Sequence, residues 1–254
     1  MGNTARAVGR EGVNVSDDLV DTQEMYLKAI FELEEEGVVP MRARLVERLA
    51  QSKPTVSETV ARMERDGLLY VDSKRRLVLT PEGRTIATRV MRKHRLAERL
   101  LVDVLKMPWE HVHPEACRWE HVMSSELEQC IVNLVGDEGS DPYGNPIPSE
   151  VVTKPATAQE AGLVTLGSWA KSRDAQGAEQ ATSGGQVIVE RFGEPLQTDT
   201  DTMTLFARNK IFPGVKVDIS HYDDDVVMIS KSGEKVLVTP WATQHIFVRT
   251  QSDA

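Results

Sequence analysis

The feature that most restricts the fold is a tight break between two short amphipathic segments. Met41 to Ala50 places Leu45, Val46 and Leu49 on one side, and after Gln51-Ser52-Lys53-Pro54 a second segment, Thr55 to Asp66, does the same with Val56, Val60 and Met63 until Gly67. Ser52 can cap free backbone N–H groups, and Pro54 suits a first helical turn, where its missing N–H has no partner to lose. Two helices joined by so short a turn predict a helix-turn-helix, and the hydroxyls of Ser52, Thr55 and Ser57 let the second helix approach a duplex closely. Leu68 to Val71 and Leu77 to Leu79 then flank the basic run Asp72-Ser73-Lys74-Arg75-Arg76. This reads as a hairpin whose tip can meet phosphates, so the motif is winged.

Charge distribution agrees with that reading although the total does not. The 254-residue chain carries a formal net charge of −9. Arg42 to Lys93 holds thirteen Lys and Arg against six Asp and Glu, a net of +7, so the remainder carries −16. A basic segment in an acidic chain is a local electrostatic footprint, whereas the total reports on solubility; the plainer alternative is a solvated charged face. The length suits two or three small domains. No run of about eighteen apolar residues exists, so no membrane partner is expected. Met1 to Val15 lacks the apolar stretch of a secretory leader, and Arg6 breaks a myristoylation motif. With Cys117 and Cys130 the only cysteines, the expectation is a reducing cytoplasm and no disulfide framework.

Met91 to Met123 holds four of the six histidines and Cys117. Imidazole, thiolate and carboxylate are transition-metal ligands, and helical neighbours three or four apart can reach one ion. His94 and Glu98 have that spacing, as do Cys117, Glu120 and His121. They form two half-sites, each needing ligands from elsewhere; the alternative is ordinary core and surface residues, and His111 is read as a bystander.

Other elements follow in order. Ser16, Asp17 and Asp18 predict a cap before a first helix with Met25, Tyr26, Leu27, Ile30, Phe31 and Leu33, ending at Glu34-Glu35-Glu36-Gly37. Thr80-Pro81-Glu82 starts a helix expected to reach about Leu105. Pro108 and Pro114 open shorter helices, the second bearing Cys117, Glu120 and His121, and Glu126 to Val135 completes this half with Leu127, Ile131 and Leu134 on one face. Val151 to Gln186 has linker composition. Five short β-type runs from Val187 to Val248, with one helix near Asp199 to Asn209, suggest a small barrel. The fold class is therefore mainly α with a C-terminal small β-barrel. Its units are a DNA-binding domain at 16–80, a helical metal-binding and dimerisation domain at 81–148, a flexible linker at 149–186 and the barrel at 187–250.

Several runs closely resemble the diphtheria toxin repressor and iron-dependent regulator family: Asp21-Thr-Gln-Glu-Met-Tyr-Leu27, Gln51-Ser-Lys-Pro-Thr-Val-Ser57, Ala61 to Gly67, Met91 to Leu101 and His113 to His121. The resemblance is dense from Leu19 to Pro148 and weaker in the last domain. It implies a homodimer of winged helix-turn-helix, metal-binding and SH3-like domains with two metal sites per subunit. One site would take His94, Glu98 and His113, completed by Glu194 and Gln197; the other would take Met25, Cys117, Glu120 and His121. A thioether beside a thiolate favours Fe2+ over Mn2+, with Co2+, Ni2+, Mn2+ or Zn2+ able to substitute in vitro. The partner is a palindromic double-stranded DNA operator. Thr22, Ser52, Pro54, Thr55, Ser57 and Glu58 would meet bases or adjoining backbone, and Arg42, Arg62, Arg65 and Arg75 phosphates. Two positions depart from the family pattern: Glu58 stands where Gln is common, and Asp141 replaces a serine that helps hold an anion near Arg95, while Asn145 remains.

The expected function is an iron(II)-activated repressor of iron-uptake genes, not an enzyme. Its rivals are a metal-dependent hydrolase, disfavoured because no general base stands apart from the ligands, and a winged-helix regulator sensing another ligand.

Overall fold

The computed structural model describes residues 21–151, 153–174, 185–222, 225–231 and 233–250. Helix α1 (Thr22–Glu35) begins where Asp21 accepts from the backbone N–H of Gln23 at 2.8 Å. The cap expected at Ser16, Asp17 and Asp18 lies outside the described residues. Gly37 ends the helix at φ +77°, and a Cβ there would lie 2.2 Å from Gln159 Oε1. Both the left-handed turn and that close approach favour glycine.

Helix α2 (Arg42–Leu49) stops at Ala50, which is left-handed. Helix α3 (Lys53–Arg65) is capped as its sequence predicts, the Ser52 hydroxyl accepting from Thr55 N–H at 3.3 Å. Val56, Val60 and Met63 are fully buried against Tyr26, Leu27 and Ile30 of α1 and Leu45 of α2. Each such side chain contributes about 1.5–3 kcal/mol of transfer free energy, which locks α3 on α1. Strands β1 (Leu69–Val71) and β2 (Leu77–Leu79) pair antiparallel with Tyr70 opposite Val78, forming the wing. Asp72 shapes its tip by accepting from the N–H groups of Lys74 and Arg76 at 2.9 and 2.8 Å.

Helix α4 (Pro81–Arg99), capped by Thr80, belongs to two cores. Ala87 and Met91 pack with the helix-turn-helix unit, whereas Leu96 and Ala97 pack with the rest of the molecule. The helix does not run on to Leu105 in α form as expected: a π-helical turn, Leu100–Val104, replaces its end, and Leu105 N–H bonds Leu100 C=O at 3.1 Å. The wider turn leaves Leu101 in the core, where Met107 packs against it.

Helix α5 (Val112–Trp119) has Pro114 as its third residue, still within the first turn, where no N–H is missed. Glu120 is its C-cap, its N–H still bonding Ala116 C=O at 3.0 Å, and His121 lies in the turn that follows, a correction to the helix expected to carry both. Helix α6 (Ser125–Val135) buries Ile131, but Leu127 and Leu134 are 48% and 66% exposed and nearby Val122 56%.

The last unit holds β3 (Val164–Thr165), α7 (Leu166–Asp174), β4 (Gly185–Phe192), the one-turn helix α8 (Glu194–Gln197) and α9 (Thr200–Arg208). After them come β5 (Lys216–Tyr222), β6 (Asp225–Ile229), β7 (Lys235–Val238), the one-turn helix α10 (Pro240–Thr243) and β8 (Ile246–Thr250). The strands form one antiparallel sheet in the order β3-β8-β4-β5-β6-β7, open rather than closed into the expected barrel. The flexible linker expected at 149–186 needs correction over 153–174. Leu166, Trp169 and Ala170 are buried in the common core, Ala158 and Leu163 pack on Phe247, and β3 adds a strand to β8. Apolar residues thinly spread among Ala, Gly, Ser and Thr sufficed, because the sheet supplied the surface that covers them. Tyr143, Ile147, Val187, Val189 and Phe192 join the same core, which fixes α8 against α4 and α5. No helix among the described residues is long and apolar enough to cross a membrane.

At the junction of the first and last units, burial first and Arg48 second push the His245 imidazole down to about 4. An unfolded histidine titrates near about 6.5, so between these values the unfolded chain binds more protons and stability falls as pH drops. Below about 4 the contribution is already lost. Comparison of urea midpoints at pH 7 and pH 5 is expected to show a loss, about 1–2 kcal/mol of which disappears in His245→Gln.

Candidate metal centre

His94 and Glu98 lie one turn apart on α4 and are fully buried. Helix α5 brings His113 beside them, its backbone N–H donating to Tyr143 Oη at 3.2 Å, and α8 brings Glu194. His94 Nε2 stands 2.8 Å from Glu98 Oε1, 3.3 Å from Glu194 Oε2 and 3.2 Å from His113 Nδ1. His113 Nδ1 is 3.2 Å from Glu98 Oε1 and 3.3 Å from Glu194 Oε2. Ligand atoms of these four residues all lie within 4.8 Å of one another. Gln197, one turn along α8, is fully buried, and its amide donates to Phe192 C=O at 2.7 Å.

Three buried oxygens test whether this donor set suits a metal. Among the described residues, Glu98 Oε2, Glu194 Oε2 and Gln197 Oε1 accept no hydrogen bond of good geometry, the two imidazoles 3.3 Å from Glu194 Oε2 being poorly aligned for one. Buried acceptors normally find one, and a cation among them would satisfy the lone pairs that the protein leaves open. The residues therefore fit a divalent ion bound by nitrogen and oxygen.

The second expected set is arranged differently from its spacing. Cys117 Sγ is 3.5 Å from His113 Nε2, and the cluster that contains the thiol pairs it with His94 and His113. Glu120 Oε1 meets His121 Nε2 at 3.1 Å, while Glu120 Oε2 reaches His94 Nδ1 at 2.5 Å. His94 thus faces both groups, one ring nitrogen to each. Met25 is half-buried at the edge of the DNA-binding core. Its helix reaches the centre through Glu24, whose Oε2 is 2.8 Å from His121 Nδ1, and through Lys28. Lys28 Nζ lies 2.9 Å from Glu120 Oε2, 3.1 Å from His94 Nδ1 and 3.7 Å from Cys117 Sγ.

Electrostatics favours positive charge throughout. Burial opposes ionisation of His113, but Cys117 and Glu98 beside it push the imidazole up to about 10. His121 is raised to about 9 against its own burial by Glu120 and Glu24. Burial works against the Cys117 thiolate too, yet the neighbouring Lys28 and His113 hold the thiol well below its ordinary range. Anionic donors surround sites that demand cationic partners, the environment a metal ion shares with an ammonium or imidazolium.

Behind the centre, the fully buried Arg95 ties three units together. Its guanidinium donates to Glu35 of α1 at 3.0 and 2.5 Å, to Pro146 C=O at 2.6 Å and to Glu194 of α8 at 3.4 Å. Asp141, one of the departures from the family pattern, places Oδ2 3.6 Å from Arg95 Nε and accepts from Asn145 Nδ2 at 3.0 Å. The carboxylate of the chain itself therefore stands where an anion beside Arg95 would be sought.

Glu24, Lys28 and Glu35 escaped sequence reasoning. Their signal was a charged stripe, Glu24-Lys28-Glu32-Glu35, at helical spacing along α1, with the last three buried. Charged residues recurring on a buried helix face need buried partners.

In the first unit, Thr22, Ser52, Pro54, Thr55, Ser57, Glu58, Arg62, Arg65 and Arg75 are exposed and Arg42 half-exposed. Lys53 near the start of α3 and Lys74 at the wing tip are exposed as well.

Comparison with known proteins adds three findings. Residues 18–77 match the family described as iron dependent repressor, N-terminal DNA binding domain, and residues 80–149 that described as iron dependent repressor, metal binding and dimerisation domain. The chain is 46% identical over 234 residues to the iron-dependent repressor IdeR of Mycobacterium leprae, covering 90% of this chain and 96% of that one. It is 48% identical over 223 residues to the diphtheria toxin repressor of Corynebacterium diphtheriae, covering 86% and 92%. Among solved structures it resembles a manganese-dependent transcriptional repressor in complex with manganese, at a TM-score of 0.68 and 27% identity over 90% of this chain and all of that one. It also resembles the IdeR of T. acidophilum, at a TM-score of 0.67 and 25% identity over 91% and 99%.

Proposed function

Because this chain belongs to the iron-dependent repressor family and is a metal-activated DNA-binding repressor, we propose that its activating ion is Fe2+, bound at two sites per subunit of a homodimer. His94, Glu98, His113, Glu194 and Gln197 would hold one ion; Met25, Cys117, Glu120 and His121 would hold the other. Bound there, a divalent ion supplies concentrated positive charge and directional coordination. The soft pair of Met25 and Cys117 favours iron and later first-row metals over manganese, so Co2+, Ni2+ and Zn2+ substitute readily and Mn2+ less well.

One observation carries this reading: α1, packed directly on the DNA-reading α3, already touches the centre through Glu24 and Lys28. Cys117, Glu120 and His121 on one side and Met25 on the other would fix α1, and with it the spacing of two α3 helices in a dimer. Metal-loaded protein then prefers DNA, and DNA tightens metal binding by the same factor. Exposed Val122, Leu127 and Leu134 supply an apolar face suited to the dimer contact. Ser52, Pro54, Thr55, Ser57 and Glu58 read bases or adjoining backbone, with Thr22 at the edge. Arg42, Arg62, Arg65 and Arg75 hold phosphates of a palindromic operator in iron-uptake promoters, in the cytoplasm. The functional units fall at 16–80, 81–148 and the sheet domain. The hydrolase reading loses ground because the centre is closed, His94, Glu98, His113 and Glu194 being at most 5% exposed.

Anaerobic fluorescence anisotropy on operator DNA tests the proposal. Fe2+ should tighten binding about 100-fold over chelated protein, and Met25→Ala should remove most of that gain. Equal affinity in all three samples overturns activation through this site.

A further inference from the structure

Lys28 presents to the centre a charged group that cannot ligate a metal while it keeps its proton. Only 6% exposed, it sits on α1 with its ammonium against Glu120 Oε2, His94 Nδ1 and Cys117 Sγ, at 2.9, 3.1 and 3.7 Å. A buried lysine is unusual unless paired, and this one is paired with the donors that a metal needs. An ammonium and a divalent ion cannot both lie in contact with one carboxylate oxygen and one sulfur, since two cations so close repel strongly where little water screens them.

We propose that the Lys28 ammonium competes with the metal ion for Cys117 and Glu120, so that Lys28 sets the affinity threshold of the centre and with it which ions occupy it at a given concentration. The inference rests on the reading of Cys117 and Glu120 as ligands. Lys28 has a flexible four-carbon stem and can withdraw, giving up the pair with Glu120. That cost is the same for every metal. Ions that bind this donor set strongly exceed it, whereas Mn2+, at the weak end of the affinity order, falls short. Lys28 and Met25 are three residues apart, neighbours on one face of α1 separated by roughly 60° about its axis. Withdrawal of the one and approach of the other are therefore movements of the same helix, which couples ligand exchange to the position of α1.

Two measurements on the full-length protein test this. Co2+ titration, followed by thiolate-to-cobalt charge-transfer absorption, compares the natural protein with Lys28→Leu and with Lys28→Arg, which retains the charge. Lys28→Leu should bind Co2+ at least about 10-fold tighter and gain DNA binding in Mn2+, while Lys28→Arg should not bind tighter. Unchanged or weaker Co2+ binding in Lys28→Leu overturns the proposal. Should that variant not fold, acetic anhydride footprinting of the natural protein gives the answer: Lys28 should be acetylated faster in Zn2+ than in chelator, and equal or slower labelling overturns displacement. Absence of the charge-transfer band in the natural protein instead removes Cys117 as a ligand and overturns the metal-centre reading together with this one.

Discussion

Replacing His94 with alanine is expected to abolish metal-dependent DNA binding, lowering operator affinity in Fe2+ or Co2+ by about 100-fold, to the level of chelated protein. The position is singular because one imidazole serves both halves of the centre. Nε2 faces Glu98, Glu194 and His113, while Nδ1 faces Glu120 and Lys28. Removing Gln197 or Met25 touches one half alone; removing His94 disorders both. Co2+ stoichiometry measured beside the anisotropy should fall from two per subunit to less than one. Retention of two tightly bound ions would show that the halves do not share this ring. The fold should survive, because alanine keeps the helix-forming tendency of α4, and Lys28, His113 and Arg95 still face the Glu120, Glu98 and Glu194 carboxylates that lose the imidazole.

Replacing Arg95 with methionine should have the larger effect on stability. The guanidinium is fully buried against both oxygens of Glu35 and near Glu194 and Asp141, so the substitution strips Glu35 of its partner and takes one of the cations that face Glu194. Breaking a buried pair from one side costs about 3–5 kcal/mol, a large share of the stability of an ordinary domain. Chemical denaturation should show the loss directly. Arg95→Met combined with Glu35→Gln should recover part of it, since the second change removes one stranded charge. A double variant no more stable than the single would mean that Arg95 acts by packing rather than through these pairs.

Local signals made the first half of the molecule legible. Ser52 and Pro54 mark the start of α3, Thr80 and Pro81 that of α4, and the apolar periods of α1 and α3 identify the residues that pack together, because each is decided within one or two turns of chain. Errors arose where distant surfaces decide. Leu166, Trp169 and Ala170 sit in a segment of linker composition and gain their burial from a sheet formed largely by later residues. The open order of that sheet depends on β3 pairing with β8, more than eighty residues away. At the candidate metal centre, helical spacing found His94 with Glu98 and Glu120 with His121, but it left unseen that His94 also faces Glu120. It could not show Lys28 or Glu24, which arrive from another unit. Met25, Glu194 and Gln197 were reached by family resemblance alone.

Helix α1 is held at its far end as well as near the ions. Ala158 N–H donates to Glu35 C=O at 2.8 Å, and Gln159 lies against Gly37. With that end pinned, any tilt of α1 would pivot about its contact with Ala158 and Gln159. Its fourteen residues span about 20 Å, so a tilt of about 5° sweeps the free end through roughly 2 Å. A ligand exchange no larger than a bond length or two can therefore be geared into a displacement of the reading head, with that pivot setting the gear ratio.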